Sequence, residues 1–271
     1  MPPSSARQLF ELGGKTFLVV GGARALGYDM ALALAEFGAS GVVTSRNPAA
    51  ATAAAATIAA ATGQPMLGLG LDANVEASVE SSVAHTVRHL GRIDILINTV
   101  GGGGGGSGTT SPHLADRSLV QWEAIQRTNV TALFLICRQV TPVMIRQGGG
   151  SIINIASIAG LVGRDRRVYP PGMNPQTVDY ATAKAAVIGF TTDLAGLLGP
   201  QGIRVNAISP GGFERGQPQE FVRAYSDRTM LGRMGRDGID LKGAAVFLAS
   251  DASAYITGHN LVVDGGFSRW K

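Results

Sequence analysis

Short apolar runs, each ended by a glycine or polar turn and followed by a helical stretch, recur from one end of this chain to the other. KTFLVV, residues 15–20, shows no alternation of apolar and polar positions, the pattern of a strand covered on both faces, and GGARALG then breaks it into the helix-like YDMALALAEFG. SGVVTSR repeats the strand signal, the Ala-rich AAATAAAATIAAATG is a helix stopped by Gly63, and MLGLGLD is a third strand. EASVESSVAHTVRHLG follows as an amphipathic helix and IDILINTVG as a fourth buried strand. Then come a helical pattern over residues 118–147, the strand SIINIAS, a helix over residues 179–199, the strand IRVNAIS, a polar region over residues 220–236, the helix DLKGAAVFLAS and the strand NLVVDGG. Such alternation predicts an α/β chain built on one doubly wound parallel sheet. Residues 15–271 would form a single domain behind an N-terminal extension of residues 1–14.

TVGGGGGGSGTT, residues 99–110, has the composition of a flexible linker. Its place argues otherwise. It directly follows the carboxyl end of the fourth strand, where open parallel sheets bind their ligands, and neither half of the chain alone would close such a sheet. The bare backbone is therefore expected to border a ligand.

Several function classes drop out on composition. With 45% hydrophobic and 15% charged residues, the 271-residue chain can bury a sizeable core. The net charge is only +4, carried mostly by scattered arginines without a polybasic run, which excludes a nucleic-acid partner. A lone Cys137 leaves neither a disulfide framework nor a Cys-based zinc site and suits a reducing cytoplasm. His85, His89, His113 and His259 form no metal-binding motif, so no metal is expected. The first residues contain no apolar signal region, and no stretch reaches the ~18 apolar residues that span a membrane; a cytoplasmic protein without membrane contact is expected.

Two motifs carry chemistry. VGGARALG, residues 20–27, follows the first strand and opens the first helix, so backbone N–H groups and the helix dipole can meet a pyrophosphate there. YATAK puts Tyr180 and Lys184 at i and i+4 on one helix face, the ammonium beside the phenol. A tyrosine titrates near ~10 and is a poor base at neutral pH; an adjacent cation favours the phenolate.

From Lys15 to Ser268 the chain resembles the short-chain dehydrogenase/reductase family, in its shorter, single-domain subclass. Five stretches match in order: VGGARALG like TGxxxGxG, NTVG (Asn98 to Gly101) like NNAG, NIAS ending at Ser157, YATAK like YxxxK, and SPGG with a final VDGG. A glycine would stand at Arg24 in the extended epimerases, and six residues would separate Tyr and Lys in enoyl-reductase relatives. The resemblance implies a Rossmann-type fold. Tyr180 would be the acid/base, with Lys184 lowering its pKa and holding the nicotinamide ribose; Ser157 would polarise the same substrate oxygen, and Asn129 would hold a relay water. Gly21, Ala25, Leu26, Gly27, Asn98, Gly101, Pro210 and Gly211 would line the dinucleotide, with Asp72 on the adenine amine. NADP(H) is expected over NAD(H), because Ser45 stands where an NAD site places an acid and Arg46 and Arg24 can flank a 2′-phosphate. A homotetramer is implied through the helices carrying Asn129 and Tyr180, with Ala181, Ala185, Ile188, Thr192 and Leu197 on the contact face, and through the chain's end.

Four departures bear on function. Val20 replaces the usual Thr, Ala25 the middle glycine, Thr99 and Val100 the family's Asn and Ala, and Arg215 a carboxamide-binding Thr. A Pro-rich insert before Tyr180 carries Arg164, Arg166 and Arg167 on the substrate side. With Arg215, these suit an anionic, hydroxylated substrate such as a sugar acid or polyol. A 3-oxoacyl thioester would instead need an apolar wall, for which Phe213, Phe221, Val222 and Met230 are available. A non-catalytic dinucleotide sensor on the same fold is expected to lack Tyr180 or Lys184; both are present.

Overall fold

A computed structural model describes residues 5–102 and 113–269. Glycines 103–106 and the rest of the tract to residue 110 lie outside the described residues. Seven parallel strands form one sheet: β1 (Thr16–Val20), β2 (Ser40–Ser45), β3 (Met66–Gly70), β4 (Ile95–Asn98), β5 (Gly150–Ile155), β6 (Ile203–Pro210) and β9 (Asn260–Val263). They lie in the order β3-β2-β1-β4-β5-β6-β9. Thr16 to Val19 of β1 register with Ser40 to Val43 of β2, while Phe17 to Val20 register with Ile95 to Asn98 of β4. Because β4 also pairs with β5, the sheet runs unbroken across the glycine tract.

The central strands are largely apolar because both faces are covered. Successive side chains of β1 point opposite ways: Phe17 and Val19 join one core cluster, Leu18 and Val20 the other. The first cluster is roofed by α1 (Ala25–Glu36), α2 (Pro48–Thr62) and α8 (Lys242–Ala249). The second is covered by α3 (Glu76–Leu90), α5 (Ala132–Arg146) and α6 (Val178–Leu198). Burying each large aliphatic side chain contributes about 1.5–3 kcal/mol. Local signals fix the Ala-rich α2 in place: the Asn47 side chain accepts from Ala49 N at 3.0 Å, Pro48 opens the first turn, and Gly63 closes the helix at φ +72°.

Two helical stretches, Leu119–Arg146 and Val178–Gln201, are long and apolar enough by composition to cross a membrane. The first, which joins α4 (Leu119–Gln126) to α5 through a π-turn, Arg127–Thr131, contains no unbroken apolar run of that length because polar residues such as Gln121, Glu123, Arg127 and Arg138 interrupt it. Both α5 and α6 bury one face in the second core cluster, so their apolar character is that of helices covering a sheet.

The polar region after β6 forms β7 (Phe213–Glu214), α7 (Gln219–Ser226) and β8 (Gly235–Arg236), with β7 and β8 paired. Phe221, Tyr225 and Met234 of this segment form a small core with Val168 of the stretch between β5 and α6.

Candidate active site

The strand order reverses between β1 and β4, and the carboxyl ends there open onto a cleft of about 620 Å³. The glycine turn forms its floor. Gly21 sits at φ +83°, and a Cβ on Gly27 would come within 2.4 Å of the Gly21 carbonyl oxygen, so helix and turn touch only because both residues are bare. Ala25 adopts φ +50°, the sole non-glycine residue at positive φ among the described residues. The alanine thus keeps the conformation of the glycine it replaces, at a strain of roughly 1–2 kcal/mol. Arg24 opens α1 without a side-chain cap, leaving the first N–H groups of a 12-residue helix available to an anion. Thr99 answers the missing hydroxyl at Val20: its Oγ1 donates to the Val20 carbonyl at 2.7 Å and ties β4 to β1 beneath the turn.

At one end of the cleft Arg24, Ser45, Arg46 and Asp72 share the wall. Neither arginine has a carboxylate partner among the described residues. Asp72 Oδ1 accepts from Asn74 N at 2.9 Å, fixing the carboxylate over the end of β3. The bare turn, the uncapped helix and the two free guanidiniums together fit a dinucleotide phosphate.

Ser157, Tyr180, Lys184, Pro210 and Gly211 stand toward the other end, with Leu26 and Gly101 also in the wall. Ser157 reaches Tyr180 because the short turn after it, Ile158–Gly160, rests on α6: a Cβ on Gly160 would lie 2.6 Å from the Lys184 carbonyl carbon. Lys184 is 4% exposed; its Nζ donates to the Ile155 carbonyl at 2.8 Å and lies 5.8 Å from the Tyr180 ring centroid. Burial pulls its pKa down to about 8. The ammonium thus stands beside the phenol without a hydrogen bond to it. Burial pushes the phenol up, and the opposing influences are a hydrogen bond with Ser157 and the charge of Arg164. The ammonium's hydrogen bond goes to the strand carbonyl.

Two predicted residues stand elsewhere. Asn98 does not line the cleft; it is buried, with Nδ2 donating to Asn154 Oδ1 at 2.8 Å and to Cys137 Sγ at 3.5 Å, a stitch between β4 and β5. Cys137, fully enclosed there, has its thiol pushed up to about 12. Asn129, fully buried on the π-turn, spends its amide on backbone: Nδ2 donates to Ile125 O at 2.9 Å and Gly102 O at 3.1 Å, and Oδ1 accepts from Gly102 N at 3.2 Å. The side chain expected to hold a relay water instead clamps the start of the glycine tract. A Cβ on Gly101 would come 2.2 Å from Asn129 Oδ1 and 3.2 Å from Lys184 Nζ, so the bare backbone does permit a close approach at the site.

The arginines expected on substrate divide sharply. Arg167 is exposed and doubly bound to Asp165, at 2.8 and 2.9 Å; Arg166 is exposed; Arg215 lines the cleft but pairs with Asp237 at 2.6 Å. Only Arg164, held by Tyr169 and Gln176, bears on Tyr180. The expected apolar wall is dispersed: Phe213 packs into the main core, Phe221 against Tyr169 with ring centroids 5.2 Å apart, and Met230 is half exposed. Sequence reasoning did not single out Tyr169, Gln176 or Tyr225, whose hydroxyl accepts from Gly212 N at 2.6 Å. No local motif marks them, because they meet only when the insert docks on α7.

Comparison with known proteins agrees with this geometry. A family model described as enoyl-(acyl carrier protein) reductase matches residues 21–268. The chain is 34% identical to a 3-oxoacyl-[acyl-carrier-protein] reductase of Chlamydia trachomatis over 95% of this chain and 98% of the relative. It is 35% identical to a probable galactose dehydrogenase of Rhizobium meliloti over 97% and 98% of the two chains. Among solved structures, an NADPH-dependent 3-quinuclidinone reductase from Rhodotorula rubra superposes with a TM-score of 0.86 at 29% identity, covering 98% of this chain and 96% of the other. With a family match across nearly its whole length and the Ser157, Tyr180 and Lys184 set gathered at one cleft, the chain belongs to the short-chain dehydrogenase/reductase family of oxidoreductases, enzymes that use a nicotinamide dinucleotide.

Proposed function

We propose that the protein interconverts a carbonyl and a secondary alcohol with NADP(H), acting in the cytoplasm as a homotetramer on a polar small molecule, a sugar acid or polyol. The observation that carries this reading is a single cleft with Ser157, Tyr180 and Lys184 toward one end and the unpaired Arg24 and Arg46 at the other.

A bound nicotinamide supplies or accepts the hydride at the substrate carbon. In the reducing direction Tyr180 Oη gives its proton to the carbonyl oxygen, while Ser157 holds that oxygen in line. Burial keeps the phenol protonated at neutral pH, the state a proton donor needs. Lys184, anchored on Ile155, presents a cation beside the ring and steadies negative charge developing on the phenol oxygen. Gly101, locked by the Asn129 clamp on Gly102, leaves the space beside both groups clear.

NADP(H) is favoured because β2 ends in Ser45, with no acid to take the ribose hydroxyls, and two free guanidiniums stand near it. Self-association is supported by exposed apolar side chains on the covering helices, Leu119 (68%), Val120 (75%) and Leu197 (68%), with Ala185 and Thr192 also outward. One buried thiol without a disulfide suits the cytoplasm. The 3-oxoacyl thioester alternative is favoured by the relative from Chlamydia trachomatis but finds no continuous apolar wall among Phe213, Phe221 and Met230. NADPH and NADH consumption across keto-sugar acids, polyol-derived ketoses and acetoacetyl thioesters tests the reading. Turnover of a keto-sugar acid or ketose with NADPH supports it; efficient turnover of the thioester alone overturns the substrate class.

A further inference from the structure

The insert between β5 and α6 holds one half-buried guanidinium, that of Arg164, which meets no carboxylate among the described residues. Asp165, next to Arg164 in the chain, spends its carboxylate on others: Oδ1 accepts from Arg167 Nε at 2.8 Å, and Oδ2 accepts from Arg167 Nη2 at 2.9 Å and Arg228 Nη1 at 2.8 Å. Arg164 Nη1 donates to the Tyr169 hydroxyl at 2.8 Å and its Nη2 to Gln176 Oε1 at 2.9 Å. Two neutral acceptors fix the guanidinium's direction and use two of its five N–H donors, leaving a net charge and spare donors for a ligand.

The position of that charge is set by the small aromatic core. Tyr169 packs on Phe221, Phe221 lies 5.8 Å from Tyr225, and Tyr225 stacks on Phe267 at 4.5 Å. The Tyr225 hydroxyl is bound to Gly212 N, one residue beyond the Pro210 and Gly211 rim of the cleft. Gln176, which holds Arg164, lies two residues before α6 and four before Tyr180, and the Arg164 charge favours the phenolate of both Tyr180 and Tyr225. A half-buried cation is costly without a counter-charge, and an incoming anion removes that cost. Asp165 is taken up by Arg167 and Arg228, whereas the N–H donors that Arg164 has left can form a bidentate pair with a carboxylate.

We propose that Arg164 is the specificity-determining residue of the substrate pocket: its guanidinium, aimed by Tyr169 and Gln176, takes the carboxylate of an oxo or hydroxy acid whose reacting oxygen lies at Tyr180 and Ser157. This rests on the carbonyl-reducing reading above and narrows its substrate from polyols to acids. The test compares 2-, 3- and 4-oxopentanoate with their methyl esters and pentan-2-one, in NADPH-linked kinetics and in calorimetric binding to the full chain with NADP⁺. For at least one acid the wild type is expected to show a kcat/KM about 10-fold or more above that of its ester. Arg164→Gln should cut that acid-to-ester ratio by roughly 10–100-fold, chiefly through KM, with Arg164→Lys between the two. Arg166→Gln, on the exposed neighbour, should leave the ratio within about 2-fold. Wild-type indifference to the carboxylate, or an Arg164→Gln variant that loses acid and ester activity in equal proportion, overturns the proposal. Reduction of pentan-2-one without acid preference would sink this inference and spare the proposed function. Arg164-dependent binding of an oxo acid by a protein that reduces no carbonyl compound would do the reverse.

Discussion

Lys184 and Tyr180 share one face of α6, the ammonium 5.8 Å from the phenol ring centroid, yet it is the Ile155 carbonyl of the neighbouring strand that accepts the lysine's hydrogen bond at 2.8 Å. The cation is thus held by the sheet. Its burial lowers its pKa from 10.5 to about 8.

That shift fixes a pH signature. Between pH 8 and 10.5 the unfolded chain keeps a proton on Lys184 that the folded chain has released, so the residue's contribution to unfolding free energy rises with pH across this window. Below pH 8 the cost of the buried cation is present in full; above 10.5 it is gone. Relative to Lys184→Met, wild-type stability should improve by up to about 3 kcal/mol from pH 7.5 to 10.5. Urea unfolding of both proteins across this range checks it, and a constant difference contradicts it.

Ala25 offers a stability test at the glycine turn. Its φ of +50° suits glycine, so Ala25→Gly removes strain of roughly 1–2 kcal/mol against a chain-entropy loss of ~0.5–1 kcal/mol. A net gain of about 0.5–1 kcal/mol is expected in denaturant unfolding, and Ala25→Val should lose more than that. A glycine variant less stable than wild type would show that the turn is unstrained.

Cofactor choice should depend on Arg46 and Arg24. Replacing either by Ala should reduce the preference for NADPH over NADH by roughly 10-fold or more, with NADH kinetics changing less. Equal losses for both cofactors, or a wild type that works as well with NADH, would contradict the phosphate assignment.

The outward apolar face predicts assembly. Light scattering at micromolar concentration should report four chains, and Leu197→Asp should shift the population toward smaller species. A monomeric wild type would rule out the tetramer.

The alternation of apolar runs and helical stretches makes the strands and helices of the sheet legible, because the central strands β1 and β4 are buried on both faces and helices such as α2 and α3 end in a local signal, Gly63 and Gly91. The YATAK spacing likewise places Tyr180 and Lys184 without any tertiary knowledge. Asn98 and Asn129 show what spacing alone does not give: a polar residue near a cleft has two directions to face, and here Asn98 Nδ2 donates to Asn154 within the sheet while Asn129 binds the backbone of Ile125 and Gly102. The insert arginines look alike in sequence. Only the folding of the insert onto α7 gives Asp165 to Arg167 and Arg228 and leaves Arg164 to the neutral Tyr169 and Gln176.

Proton transfer from the Tyr180 hydroxyl is the claim on which the proposed NADPH-driven carbonyl reduction rests. Tyr180→Phe retains the ring beside Lys184 and removes only that hydroxyl. NADPH consumption with the best carbonyl substrate, measured alongside NADPH binding by fluorescence, tests the claim most directly. The account predicts a variant that folds, still binds NADPH and loses ~10²- to 10⁴-fold in turnover; a folded, NADPH-binding Tyr180→Phe variant with unchanged turnover would contradict it.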